Sequence, residues 1–229
     1  MAIKIPINLI KINYIKYYNQ KHYNWAVQTP FMNKLLQEDL MINSDQISTY
    51  PVFNEVLEIS NSKKITNNFI YVSSSVSHKN HLRLIRAFIA SANKTDKEIK
   101  LHLTLDKKEL PKNAYPKNLK VEFHGTLSEE GVNGIYNINE FAIYPSLVES
   151  FGLPLIESAN HGCKVIASDL QYVHEIIKPS LTFDPYSIES ISNAILKAIE
   201  TDNLPETKVL VENKLDNFVD FIISQDVQR

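Results

Sequence analysis

Glycine is scarce in this sequence. Only five glycines occur among 229 residues, whereas ordinary usage of about 7% would give about 16. Neither a G-x-G-x-x-G dinucleotide fingerprint nor a G-x-x-x-x-G-K-[ST] phosphate loop can be written with these five. The scarcity therefore excludes the P-loop kinases and the classical dehydrogenases.

Several other classes are excluded by what the chain has little of. A single cysteine, Cys163, excludes a disulfide framework and an all-cysteine zinc site. The apolar runs are interrupted well before the roughly 20 residues that a membrane span needs, and the first residues lack the pattern of a signal peptide. We therefore expect a cytoplasmic protein. The net charge of -2 argues against a nucleic-acid partner.

Strand and helix signals alternate from about residue 68 onward. Strands are predicted over 69–73, 100–105, 120–123, 141–144 and 164–167, and helices over 81–92, 128–136, 154–161, 188–200 and 207–224. This alternation predicts an α/β fold, a Rossmann-like parallel sheet with helices on both faces. Ligands of such sheets lie beyond the carboxyl ends of the strands. The helix over 81–92 is expected to bury Leu82, Ile85, Phe88 and Ile89.

The first 55 residues look like part of another domain. They carry a short strand signal at 25–27 and a helix signal in which Thr29 is the N-cap and Pro30 the first residue. Their apolar positions are too few for a separate core. We therefore predict three segments: a remnant with a linker over 1–55, a ligand-binding domain over 56–205, and a C-terminal helix over 206–229. Four lysines interleaved with Ile and Tyr would suit peripheral membrane contact: Lys4, Lys11, Lys16 and Lys21.

The most informative segment runs from Tyr144 to Asp169. Glu149 lies in a loop after a strand, Gly152 and Pro154 mark a helix start, and Glu157 follows one turn inside that helix. The helix N-terminus would bind an anion, and the two carboxylates would accept hydrogen bonds from sugar or ribose hydroxyls. On spacing alone another interpretation stays open, in which Glu149 is a solvated loop residue and Glu157 an ordinary first-turn acid.

The segment ESFGLPLIE resembles the E-x7-E motif of the retaining GT-B glycosyltransferases, specifically the large family 4 group. HKNHLRLIRAF, FHGTLSEE and AVQTPFMNKLL are similar to further segments of that family. The resemblance implies a transferase that takes a sugar from a nucleotide diphosphate sugar, with no cofactor and no metal. Lipopolysaccharide or other surface polysaccharide synthesis would be its pathway by family analogy.

The resemblance also implies roles for individual residues. Glu149 would contact the donor sugar or stabilise positive charge at its anomeric carbon, and Lys79 would neutralise the leaving diphosphate. These two are the predicted catalytic residues. Glu157 would bind the ribose hydroxyls. The other donor-binding candidates are the backbone around Phe151, Gly152 and Leu153, together with Ser74, His124 and Gly125.

Two departures from the family pattern qualify this prediction. Ser74 stands where the family commonly has an arginine, and most of the acceptor domain is absent, so we expect a separate acceptor-domain chain or self-association. The alternatives left open are a non-catalytic nucleotide-sugar binding module, an inactive truncated transferase, and a GT-B sugar-nucleotide epimerase. His78 and His81 have a spacing that could serve a metal, but no third ligand is apparent, and the non-metal interpretation is favoured.

Overall fold

The computed structural model describes residues 23–54, 63–110 and 114–226, which form parts of two compact units. The first unit comprises residues 1–54 and 212–229, and the second comprises residues 55–211. The lysines at positions 4, 11, 16 and 21 lie outside the described residues. No helix among the described residues is long and apolar enough to cross a membrane.

The first unit contains two short strands and two helices among its described residues. They are β1 (Trp25–Val27), α1 (Pro30–Leu40), β2 (Ile47–Thr49) and α7 (Leu215–Asp226). The predicted cap is present, because the Met32 N–H donates to Thr29 Oγ1 at 3.1 Å. The C-terminal helix packs here: the Tyr50 ring lies 5.7 Å from that of Phe218. The C-terminal segment therefore groups with the start of the chain.

The second unit alternates strands and helices. Its elements are β3 (Ile65–Tyr71), α2 (His81–Ala92), β4 (Ile99–Leu103), β5 (Leu119–Phe123), α3 (Glu129–Ile138), β6 (Asn139–Tyr144), α4 (Leu153–Asn160), β7 (Lys164–Ser168), α5 (Gln171–His174), β8 (Ile177–Lys178), β9 (Leu181–Phe183), α6 (Ile188–Glu200) and β10 (Lys208–Val209). Short 3₁₀ turns occur in this unit at Ser77–Lys79 and Lys107–Glu109, and in the first unit at Ser44–Gln46.

Six strands form one parallel sheet in the order β5-β4-β3-β6-β7-β9. From β3 the chain adds β4 and β5 on one side, and β6 then pairs with the other side of β3. The order reverses at this point, so the loops after β3 and β6 diverge and leave a crevice between them. The predicted parallel sheet surrounded by helices is confirmed.

Aromatic rings fill the centre of this unit. Phe69 on β3 stacks on Phe141 of β6 with ring centroids 4.8 Å apart, and it meets Phe88 of α2 edge-on at 5.2 Å. All three side chains are almost fully buried. Burial of each such ring stabilises the fold by about 1.5–3 kcal/mol, so this cluster anchors the two strands that flank the crevice.

Two predictions about helices are wrong in part. Leu82 was expected on the buried face of α2, but it is 49% exposed, because in the first turn it lies beside an open cleft with Val76 and Tyr186. The C-terminal helix begins at Leu215 and not near 207. Residues 208–209 instead pair antiparallel with β8, an extended backbone that suits the β-branched Val209.

Candidate active site

The crevice at the strand-order reversal brings together two predicted catalytic residues. Lys79 ends the 3₁₀ turn after β3, and Glu149 lies in the loop after β6. Lys79 Nζ donates to Glu149 Oε1 at 2.6 Å, and the two side chains are only 15% and 16% exposed. Two charges with so little contact with water are stable when they neutralise each other. The pair lies at the carboxyl-terminal edge of the sheet, where parallel sheets of this kind bind ligands.

A network of buried hydrogen bonds fixes the loop after β3 against the loop after β6. The Tyr71 hydroxyl donates to the Lys79 carbonyl at 2.8 Å and lies 2.9 Å from Ser146 Oγ. The Leu147 N–H donates to the His78 carbonyl at 2.8 Å. Because these bonds cross from the β3 loop to the β6 loop, the Lys79–Glu149 pair is positioned by the fold and not by the pair alone.

Asn80 and Tyr172 extend this network. The Asn80 side-chain amide donates to the carbonyl oxygens of Pro145 and Pro185, at 3.0 and 2.8 Å. The Tyr172 hydroxyl donates to the Ser146 carbonyl at 2.9 Å, and burial raises the pKa of Tyr172. Sequence analysis missed these supporting residues. The signal available was weak: a tyrosine in the short helix after β7, and an asparagine next to Lys79.

The start of α4 borders the same crevice. Gly152 adopts φ +81°, and a Cβ there would lie 3.0 Å from Leu155 Cδ1, so glycine is required by conformation and by space. Phe151 as a whole residue is 2% exposed, so its ring is part of the core. Leu153 is 38% exposed. The first N–H groups of a helix lack intrahelical acceptors and attract anions.

Glu157 lies one turn along α4 and is half-buried. Its pKa is raised, mainly because burial removes water from the carboxylate and secondly because Glu129 is nearby. Among the described residues, none forms a hydrogen bond with this carboxylate. Glu157 is therefore a hydrogen-bond acceptor whose donor would have to come from a ligand or from water.

The remaining candidates are placed separately. Ser74 is exposed after β3. Gly125 adopts φ +64° with its hypothetical Cβ 3.1 Å from Asp106 Oδ1. The side chain of His124 contacts His102, with Nε2 of His124 2.9 Å from Nδ1 of His102. His81 lies 2.8 Å from Ser73 Oγ, and burial lowers the pKa of His81 to about 4. Within the described ranges, His78 and His81 are not part of a three-ligand cluster.

A six-stranded parallel sheet with helices around it and a strand-order reversal at its centre defines an α/β domain of the Rossmann-like type. The sequence model of the family described as Glycosyl transferases group 1 matches residues 53–214, so the chain belongs to that family.

Known proteins agree on the fold. The chain superposes on a glycosyltransferase of Rickettsia africae with a TM-score of 0.61 at 17% identity, covering 82% of this chain and 60% of that one. It superposes on a variant of S. aureus TarM crystallised with UDP with a TM-score of 0.66 at 17% identity, covering 82% and 39%. The GT-B type of fold, predicted from the sequence, is confirmed.

Curated relatives match shorter segments. "Probable sucrose-phosphate synthase 3" of Arabidopsis thaliana is 37% identical over 98 residues, which are 40% of this chain and 8% of that protein. "O-antigen chain mannosyltransferase B" of Escherichia coli is 29% identical over 87 residues, 38% of this chain and 23% of that protein. The matched segments thus span less than a quarter of each of these relatives.

Proposed function

We propose that this chain binds a nucleotide diphosphate sugar and serves as the donor half of a retaining glycosyltransferase. The observation that carries the proposal is the Lys79–Glu149 pair, held at 2.6 Å in the crevice beside the start of α4. Membership in the glycosyltransferase family supports the class of reaction. The UDP bound to the S. aureus TarM variant supports the class of donor.

The charges of the crevice suit the bond that would break. In transfer, the bond between the anomeric carbon and the diphosphate breaks, the acceptor hydroxyl oxygen bonds to that carbon, and the hydroxyl proton passes to an oxygen of the departing diphosphate. Negative charge then grows on the diphosphate and positive charge at the carbon. The Lys79 ammonium would donate to the first and the Glu149 carboxylate would stabilise the second. Their pairing keeps both charges compensated until a donor arrives.

The start of α4 and Glu157, one turn further along the helix, would divide recognition of the nucleotide. The start of the helix, with Gly152 and the backbone of its neighbours, would face the diphosphate, because N–H groups and the helix dipole favour negative charge there. Glu157 would accept hydrogen bonds from the ribose hydroxyls, which supply the donors that its half-buried carboxylate lacks. Ser74, His124 and Gly125 remain predicted donor contacts, and Ser74 would add a hydrogen bond without a charge.

We further propose contact with a separate acceptor-domain chain or with a second copy of this chain. The helix α7 offers an apolar surface for such a contact, because Leu215, Val219, Ile222 and Ile223 are between 44% and 57% exposed. Surface polysaccharide assembly is the proposed pathway, supported by the similarity to the O-antigen mannosyltransferase of Escherichia coli.

Calorimetric titration with UDP, GDP and ADP tests donor binding. We expect one of them to bind, and we expect Glu157→Ala to weaken that binding by about 1–3 kcal/mol because a charged acceptor is lost. Glu200→Gln, an exposed change in the last turn of α6, is the matched control and should leave affinity unchanged. The absence of heat with all three nucleotides, in folded protein, would refute the proposal.

Product analysis separates the alternatives that the sequence left open. A transferase releases the nucleotide diphosphate and forms a glycoside with the acceptor. An epimerase would invert the configuration of one carbon of the sugar and would form no glycoside with an acceptor. A binding module, or an inactive truncated transferase, would bind nucleotide without turnover in the presence of every acceptor-side chain tested.

A further inference from the structure

A second group of polar side chains lies at the edge of the sheet. His102 on β4 and Glu122 on β5 are register partners, and His124 follows Glu122 by two residues. The His124 N–H donates to the Leu103 carbonyl at 2.9 Å, so the strand geometry continues to this residue. Because side chains alternate between the faces of a strand, all three side chains project from the same face.

The ligand-type atoms of these side chains converge. Nδ1 of His102 lies 2.9 Å from Nε2 of His124 and 3.4 Å from Oε2 of Glu122. One such atom from each residue lies within 4.8 Å of the others. Ligands of a tetrahedral zinc ion are about 3.3 Å apart, given metal–ligand distances of about 2.0–2.2 Å. The two distances to His102 Nδ1 lie within about half an ångström of that spacing.

The surroundings orient the cluster toward one shared point. Lys100 Nζ lies 3.0 Å from Oε1 of Glu122, which leaves Oε2 facing His102. The His102 side chain is 6% exposed, and in the described part of the chain its Nε2 has no hydrogen-bond partner. All the polar contacts of this ring therefore lie on the Nδ1 edge. Glu122 is 45% exposed, so an ion could enter from that side and keep a water as fourth ligand.

We propose that His102, Glu122 and His124 form a binding site for a divalent ion of the zinc type. Two imidazoles and one carboxylate are ligands that Zn²⁺ accepts, whereas Mg²⁺ prefers oxygen ligands. The bound ion would tie the edge strand β5 to β4 and fix the loop that begins at Gly125. This proposal departs from the expectation from sequence that the chain has no metal site, and it does not depend on the proposed transferase activity.

The direct test uses the full chain, freed of any purification tag and without nucleotide. Titration with Zn²⁺ in a calorimeter should show one ion per chain, and Co²⁺ should give the absorption bands of tetrahedral coordination. The melting temperature should rise with Zn²⁺ until the site is full and should not respond to Mg²⁺. Absence of Zn²⁺ binding would overturn the proposal.

Variants assign the site to these residues. Loss of an outer-shell group typically costs 10–100-fold in metal affinity, so His124→Ala, which removes a ligand, should weaken Zn²⁺ binding by about 100-fold or more. Glu122→Gln should weaken it in the same direction. His174→Ala is the control, because His174 forms an exposed pair with Asp169 at 2.7 Å, and no third metal-ligating group joins this pair among the residues that the structure describes. Zn²⁺ affinity unchanged by His124→Ala would overturn the assignment. Because both test positions are partly exposed, folding of the variants can be verified by circular dichroism.

Discussion

Two polar clusters of the second unit differ in how the fold holds them. The Lys79–Glu149 pair lies at the centre of the sheet, with both side chains about 15% exposed, and a network through Tyr71 and Ser146 braces it. The edge cluster of His102, Glu122 and His124 is open on one side, with Glu122 45% exposed. In the central pair the two opposite charges neutralise each other. The edge cluster instead brings together three groups that could bind a cation.

The comparison shows what burial does to a polar cluster. A buried ion pair that loses one partner leaves an uncompensated charge, while an exposed pair loses little because water replaces the partner. The central cluster is therefore expected to be sensitive to any change of charge, and the edge cluster to be tolerant of such changes in the absence of an ion.

The largest expected effect concerns turnover. Lys79→Ala removes the cation that meets charge growing on the leaving diphosphate, so kcat should fall on the order of 100-fold or more. Donor affinity should fall less, because the interaction strengthens mainly in the transition state. The measurement is transfer kinetics in a complex reconstituted with an acceptor-side chain. Near-normal kcat in Lys79→Ala would refute the role of Lys79. Since Ser74 supplies no charge, Ser74→Arg is expected to raise kcat.

The next effect concerns stability. Lys79→Met should lower the free energy of unfolding by about 2–3 kcal/mol, because Glu149 is left charged without its partner; the value lies below that of a fully buried pair because some solvent reaches both groups. The double variant Lys79→Met with Glu149→Gln should regain most of the loss. Urea denaturation at neutral pH measures these values.

The edge cluster supplies the matched control for that experiment. Lys100→Met removes the cation beside Glu122, where the side chains are 28% and 45% exposed. The expected loss is at most about 1 kcal/mol. Equal losses for Lys79→Met and Lys100→Met would contradict the difference drawn between the two clusters.

The sequence predicts the central cluster better than the edge cluster, for a physical reason. The alternation of strands and helices predicts a parallel sheet, and the loops after β3 and β6 border one crevice when the strand order reverses between them. Lys79 and Glu149 were assigned to this crevice because the segments that carry them resemble motifs of the glycosyltransferase family. His102 meets Glu122 only through the register of β4 against β5, and hydrophobic patterning does not specify the register to one residue.

Boundaries were predictable where a local signal marks them. The helix α2 occupies residues 81–92 as predicted, and α6 occupies the predicted residues 188–200. The segment after Thr207 was assigned to a helix from its apolar residues, but a tertiary pairing with β8 takes residues 208–209. Such pairing depends on a partner strand and leaves no periodicity in a two-residue segment.

A smaller effect is expected at the start of α4. Gly152→Ala should lower the free energy of unfolding by about 1–3 kcal/mol, because a residue with a Cβ is strained at positive φ and the added atom would press on Leu155. Gly134→Ala is the control: Gly134 lies inside α3 with open space where the Cβ would be. That change should stabilise the protein by about 0.5–1 kcal/mol. A stabilising Gly152→Ala would contradict the geometry described for the crevice.

The smallest expected effect distinguishes Glu157 from its partnered neighbour Glu149. Burial raises the pKa of Glu157, so the folded state holds a proton to higher pH than the unfolded state does, and its stability falls as the pH rises from about 4 toward neutrality. Glu157→Gln should therefore raise the melting temperature at pH 7, and this gain should shrink as the pH falls and vanish below about pH 4, where both states become protonated. The same variant should bind nucleotide more weakly, so stability and binding move in opposite directions.

Glu200→Gln, exposed on α6, should change neither the melting temperature nor the affinity for nucleotide. A Glu157→Gln protein that is less stable at pH 7 would show that Glu157 supports the fold, and would remove the reason for assigning this carboxylate to a ligand.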